Sequence, residues 1–171
     1  TKSAAFDEEL RQRFGTAVEA ALGGALQHWA TQGPWQQLAL VILLDQFTRN
    51  IHRNTPKSFA GDAQALALAL QAMDSGSDRL LPEVARVFMY LPLEHAEDPA
   101  MQQRSVAAFE ALLESTTDAE LRDYLAGTLD YAHRHQVVIE RFCRFPHRNH
   151  ILGRASTAEE AEYLAQPGSG F

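Results

Sequence analysis

Seven consecutive apolar residues, Leu38–Leu44 (LALVILL), lie inside a segment whose flanking signals are helical. Gly33-Pro34 opens it, with proline suited to the first helical turn, and Asn54-Thr55-Pro56 breaks it. A helix that is apolar almost all round cannot sit on a surface. The stretch from about Pro34 to His52 is therefore expected to run through the centre of the fold, with other helices packed around it.

The other apolar positions supply those helices. Phe6, Leu10, Phe14, Val18 and Leu22 recur at helical spacing behind an acidic start, Asp7-Glu8-Glu9, that favours a helix N-terminus. Gly23-Gly24 ends this first helix, and Ala25–Ala30 reads as a short turn carrying Trp29. Phe59, Ala63, Leu66, Ala67, Leu70 and Met73 make a third stripe, followed by an Asp74–Asp78 loop. Pro82 opens a fourth helix with Val84, Val87, Phe88 and Leu91, which Pro92 is expected to stop. Asp98-Pro99 reads as an N-cap and first helical residue for a fifth helix burying Val106, Phe109 and Leu113.

Thr117-x-x-Glu120 predicts a capping box for the longest helix, which runs to Phe145 before Pro146 ends or kinks it. Its buried stripe is Leu121, Leu125, Thr128, Ala132, His135, Ile139 and Phe142. Ser156-x-x-Glu159 predicts the cap of a last short helix ending near Ala165, and residues 166–171 form a C-terminal tail closed by Phe171. No strand alternation or hairpin signal is present. The expectation is one all-α domain over residues 1–171, with about seven main helices paired as antiparallel hairpins. The 34-residue tetratricopeptide consensus is not visible.

Charge and cysteine usage bound the function. A formal net charge of −7 and a pI near 5.4 argue against nucleic-acid binding, which needs a net basic footprint. Leu38–Leu44 is the longest apolar run, far short of the ~20 residues that span a membrane, so no membrane partner is expected. The polar, acidic start TKSAAFDEEL carries no signal peptide, and the single Cys143 excludes an internal disulfide. Both fit a cytoplasmic protein. The chain starts at Thr1 rather than Met, so residues upstream are expected. No cofactor is expected, and the sequence sets no oligomeric state.

Against that acidic background, Tyr131–Arg154 holds five arginines, four histidines and one acid. Asp45–Arg53 (DQFTRNIHR) echoes it, with Arg49-Asn50 matching Arg148-Asn149. LLDQFTRNIHRNT, YLPLEHAED, RFCRFPHRNHILGR and the PGSGF ending together resemble the bacterial proteins grouped as domain of unknown function 924, from about Phe6 to Phe171. The resemblance implies a tetratricopeptide-like α-α superhelix and no particular reaction. Two departures stand out. Relatives usually carry an aromatic-rich segment of the Phe-Trp-Phe kind before the first helix, whose loss would expose an apolar groove. Thr48 stands where many relatives have proline, so helix geometry is expected to differ there.

Asp45, Arg49, His52 and Arg53 fall on one helical face. Arg49 and Arg53 are candidate donors to an anion with Asp45 orienting Arg49; the alternative is an ion pair that ties the helix to a neighbour. Arg148 and Asn149 follow a helix end. They are candidates to close the same anion site with Asn50, or else to bond freed helix-end carbonyls. The ligand expected is an anionic small molecule or peptide, held as a carboxylate, phosphate or peptide terminus.

Two other functions compete. Glu94 with His95 or His147 would supply acid–base groups for a hydrolase or transferase. The same motifs would otherwise be internal scaffolding for a protein partner. His95 and Asp98 with His147 and His150 form a weak metal pattern, and no metal is expected. His135 is expected to be a hydrogen-bonded core histidine and His133 to be solvated. Cys143 is expected to be buried and inert rather than a nucleophile paired with His147.

Overall fold

The computed structural model describes residues 3–170, so Phe171, the aromatic that closes the tail, lies outside the described residues. Among them are seven α-helices and no strand: the protein is all-α. Helix α1, Ala4–Leu22, is capped by the Ser3 hydroxyl, which accepts from the Phe6 amide, and ends at Gly23. Helix α2 is continuous but built in three pieces: Pro34–Val41, a π-helical Ile42–Phe47, and Thr48–Ile51. Leu40, Val41 and Leu44 are fully buried, as a helix apolar on all sides requires.

The π-helical piece has two visible supports. The Thr48 amide and hydroxyl both donate to the Leu43 carbonyl, five residues back, the hydroxyl at 2.8 Å. Gly61 closes on the same segment: a Cβ there would lie 2.2 Å from the Leu44 carbonyl oxygen. Only glycine lets helix α3, Asp62–Ser75, start so close to α2.

Helix α4, Glu83–Glu94, packs against α5, Pro99–Ser115, and α5 against α6, Ala119–Phe142. The core cluster of α1 to α6 runs from Leu10 to Ala132, with Phe109 and Met89 among its fully buried members. A smaller cluster of Val138, Ile139 and Phe145, flanked by Phe142 and Tyr163, includes the last helix, α7 (Ala158–Leu164). No helix among the described residues is long and apolar enough to cross a membrane.

Four local expectations shift. Pro92 lies inside α4, which runs on to Glu94. Leu93 and Glu94 are buried, and the Gln102 amide donates to the carbonyls of Glu94 and Ala96 at 2.7 and 2.8 Å, satisfying the helix end. Asp118, not Thr117, caps α6 by accepting from the Leu121 amide at 2.8 Å; its carboxylate suits the positive end of the dipole better than a hydroxyl. Thr157 with Glu160 forms the α7 capping box, because Ser156 is engaged by the Asn149 amide. Finally, Cys143 is exposed rather than buried: α6 ends at Phe142, and Cys143 turns the chain in the left-handed region (φ 57°).

Candidate functional site

The C-terminal end of α2 and the short turn Pro146–Arg148 are brought together by Phe59 and Asp62, at the start of α3. Arg49 Nη2 donates to both Asp62 oxygens at 2.9 Å and lies 3.5 Å from Asp45 Oδ1. Arg148 reaches the same Asp62 at 3.5 Å and donates to the His95 carbonyl at 3.0 Å. Both guanidinium groups lie over the Phe59 ring, at 5.3 and 4.9 Å, and Arg148 also covers Phe145 at 4.4 Å. The two basic segments share one carboxylate and one ring.

A cleft of about 190 Å³ opens at Phe59, lined also by Arg49, Arg53, Asn54, Ser58, His147 and Ile151. A second cavity, of about 350 Å³, also has Phe59 in its lining, with Asp62, Pro92, His95, Glu97, Asp98 and Arg148 among the other residues. In the cleft, Arg53 is held from behind: its Nε and Nη2 grip the Asp7 carboxylate at 2.6 and 2.8 Å, and Asn50 donates to Asp7 at 2.9 Å. That bidentate grip holds Asp7 below the ordinary carboxylate range despite its burial.

The cavity side is more deeply buried. His95 Nδ1 lies 2.8 Å from Asp45 Oδ1. Burial alone would raise the Asp45 carboxyl, yet His95, then Arg49 and Gln46, hold it well below its usual range. Burial lowers His95 against the pull of Asp45, so its Nδ1–H donates to an ionised Asp45. Burial raises Asp62 against Arg49 and Arg148, and brings Arg148 down to about 10, with Arg49 adding to the effect.

The remaining candidates go elsewhere. Asn50 faces Asp7, and Asn149 donates to Ser156 and Glu160 and accepts from Arg154, so neither amide is brought to the cleft. Arg148 bonds a helix-end carbonyl, but that of α4 rather than of the helix preceding it. Glu94 meets neither His95 nor His147: its Oε1 is 3.2 Å from His135 Nδ1, whose hydrogen goes to the Tyr131 carbonyl at 2.8 Å. His135 is therefore a hydrogen-bonded core histidine, and His133 is exposed. Asp98 caps α5 through the Ala100 amide, and among the described residues no three His, Cys, Asp or Glu side chains assemble a metal site. The acids Asp7 and Asp62 and the ring of Phe59 were not legible as site residues, because they meet the arginines across breaks between helices that no local periodicity spans.

A family model described as bacterial protein of unknown function (DUF924) matches residues 1–168. Among solved structures, the protein of unknown function ATU0120 from Agrobacterium tumefaciens is 41% identical, with a TM-score of 0.84, over 96% of this chain and 86% of that one. No curated protein matches the chain.

Proposed function

From the premise that the chain belongs to the family of bacterial proteins of unknown function DUF924, we propose that it is a binding protein for a small anion, held in the Phe59 cleft. One observation carries this reading: Arg49, Arg53 and His147 line the cleft, and no carboxylate is among its lining residues. The acids that position the arginines stand behind them. Arg49 Nη1 and Arg53 Nη1 make no hydrogen bond among the described residues and remain available as donors. At about 190 Å³ the cleft fits a carboxylate or phosphate group, free or at a peptide end, rather than a drug-sized molecule. Arg148, Asp45 and Asn50 act by positioning in this reading. A cytoplasmic location and a tetratricopeptide-like arrangement of the helical pairs belong to the same proposal.

Thermal-shift and calorimetric titrations with inorganic phosphate, succinate and an acidic dipeptide test it. At a hundredfold excess over Kd the stabilisation is ~2.7 kcal/mol. It should vanish in Arg53→Ala, with the helical circular dichroism retained. No shift with any of the three anions, or an equal shift in Arg53→Ala, overturns the proposal.

The 2.8 Å Asp45–His95 contact favours one second reading, an acid–base enzyme. Asp45 fixes Nδ1, leaving His95 Nε2 to move a proton in the cavity that the ring lines. Its test is turnover of a panel of p-nitrophenyl esters and phosphates: loss in His95→Gln with a changed pH profile supports it, and retained turnover refutes it.

A further inference from the structure

A groove separate from the Phe59 cleft runs between α4 and α6, with a volume of about 350 Å³. Val87, Phe88 and Leu91 line it from α4; Tyr124, Gly127 and Thr128 line it from α6. Tyr124 and Tyr131, which also lines it, are about half exposed, so the groove is open at its rim. One acid belongs to this apolar lining: Glu94, only 3% exposed.

Among the other buried acids, Asp7, Asp45 and Glu160 each have an arginine within 3.5 Å, and Asp78 accepts from the Tyr90 hydroxyl at 2.6 Å in an enclosed site. No arginine or lysine of the described residues is paired with Glu94, which alone of these acids lines an open groove. Its one close polar neighbour, His135, is neutral: burial takes that ring down to about 3, and its Nδ1 hydrogen is directed to the Tyr131 carbonyl. No hydrogen bond reaches Glu94 Oε2 among the described residues. A buried carboxyl in an apolar trough, with no cation of its own, is complementary to a cation that arrives on an apolar body.

We propose that this groove binds a small amphiphilic primary amine, with the ammonium group on the Glu94 carboxylate and the apolar body along Val87, Phe88 and Leu91. The volume lies within the range of small-molecule sites, and the Tyr124 and Tyr131 rings at the rim suit an ammonium-bearing ligand.

Binding of this kind is linked to pH. The groups around Glu94 are Asp45 from α2, His95 beside it on α4, and His135 and Tyr131 from α6. Burial, with the Asp45 charge adding to it, pushes Glu94 up to about 8, so the carboxyl is protonated at neutral pH. An alkylamine, charged until about pH 10, must displace that proton. Affinity therefore rises about tenfold per pH unit up to about 8 and levels off above it.

Calorimetry with n-hexylamine, and with hexan-1-ol as the uncharged counterpart, tests the site between pH 6 and 9. The expected result is saturable one-to-one binding of the amine at pH 8.5, proton release below pH 8, and hexanol at least tenfold weaker. Glu94→Gln should lose tenfold or more. Gly127→Leu is the second variant: a Cβ there meets nothing within 4 Å, and leucine favours the helix while filling the groove. It should fold and not bind. Absence of saturable amine binding to the native protein, hexanol binding as tight as the amine, or undiminished binding in Gly127→Leu overturns the proposal.

Discussion

Replacing Glu94 with glutamine should make the protein more stable at pH 8.5 while changing it little at pH 5. Burial and the Asp45 charge move the folded-state carboxyl from its ordinary 4.5 to about 8. Between those values the folded state holds a proton that the unfolded state has lost, so stability falls as pH rises. The contribution is fully present below 4.5 and gone above 8. At ~1.4 kcal/mol per pH unit the whole swing is about 5 kcal/mol. His135 works in the opposite direction. Its folded value is about 3 against an ordinary 6.5, so its contribution is present above 6.5 and lost as pH falls. From 4.5 to 6.5 the two slopes cancel, and from 6.5 to 8 only Glu94 remains, a fall of about 2 kcal/mol. Urea unfolding of both proteins at pH 5, 6.5 and 8.5 reads this directly. Native stability should be flat between the first two and drop at the third, whereas Glu94→Gln should rise from pH 5 to 6.5 and then hold. Parallel curves for the two proteins would refute the buried-acid argument.

Three further outcomes follow from packing and pairing. Gly61→Ala drives a Cβ into the Leu44 backbone, with no flexible side chain to yield, and should cost about 3 kcal/mol in urea unfolding. Glu160→Ala removes the acceptor for Arg144, Asn149 and the Thr157 amide and should cost about 3 kcal/mol at pH 7. Because the Arg144 bond leads the effects that hold Glu160 down to about 2, this loss is full above pH 4.5 and shrinks as pH falls towards 2. Cys143, exposed at the end of α6, should take one equivalent of a thiol reagent without unfolding; labelling only in denaturant would contradict its placement.

Helix positions were legible because each depends on local spacing. The central place of α2 followed from LALVILL alone, and Leu40, Val41 and Leu44 are indeed fully buried. Two local signals failed where a residue outside the motif decided the outcome. Pro92 reads as a stop, but Gln102, ten residues on, satisfies the carbonyls that let α4 continue. Ser156 reads as a cap, but Asn149 engages it and Thr157 takes the role. The π-helical turn depends on Gly61 approaching Leu44, which no periodicity encodes. Within the site, the pairing of the two Arg-Asn segments was legible as a sequence echo. Which side chain of each pair faces the cleft was not, because Asp7, Phe59 and Asp62 decide it.

That division explains why a basic segment in an acidic chain need not make a basic surface. All five arginines of the charged stretch meet acids outside it: Arg134 meets Asp130, Arg141 Glu159, Arg144 Glu160, Arg148 Asp62, and Arg154 Glu97 in a bidentate pair. The last four partners lie 18, 16, 86 and 57 residues away, so most of the local excess of charge records ties to other segments of the chain. Arg53 is held by an acid too, but Asp7 leaves one Nη group over and presents it to a cleft without a carboxylate in its lining. Glu94 is the converse, an acid to which no cation was assigned. Among the described residues, the Phe59 cleft has arginines and no carboxylate in its lining, and the α4–α6 groove has a buried acid with no cation paired to it. An excess of arginine in sequence therefore points to function only after its internal partners are subtracted, and the remainder differs in sign between the two sites.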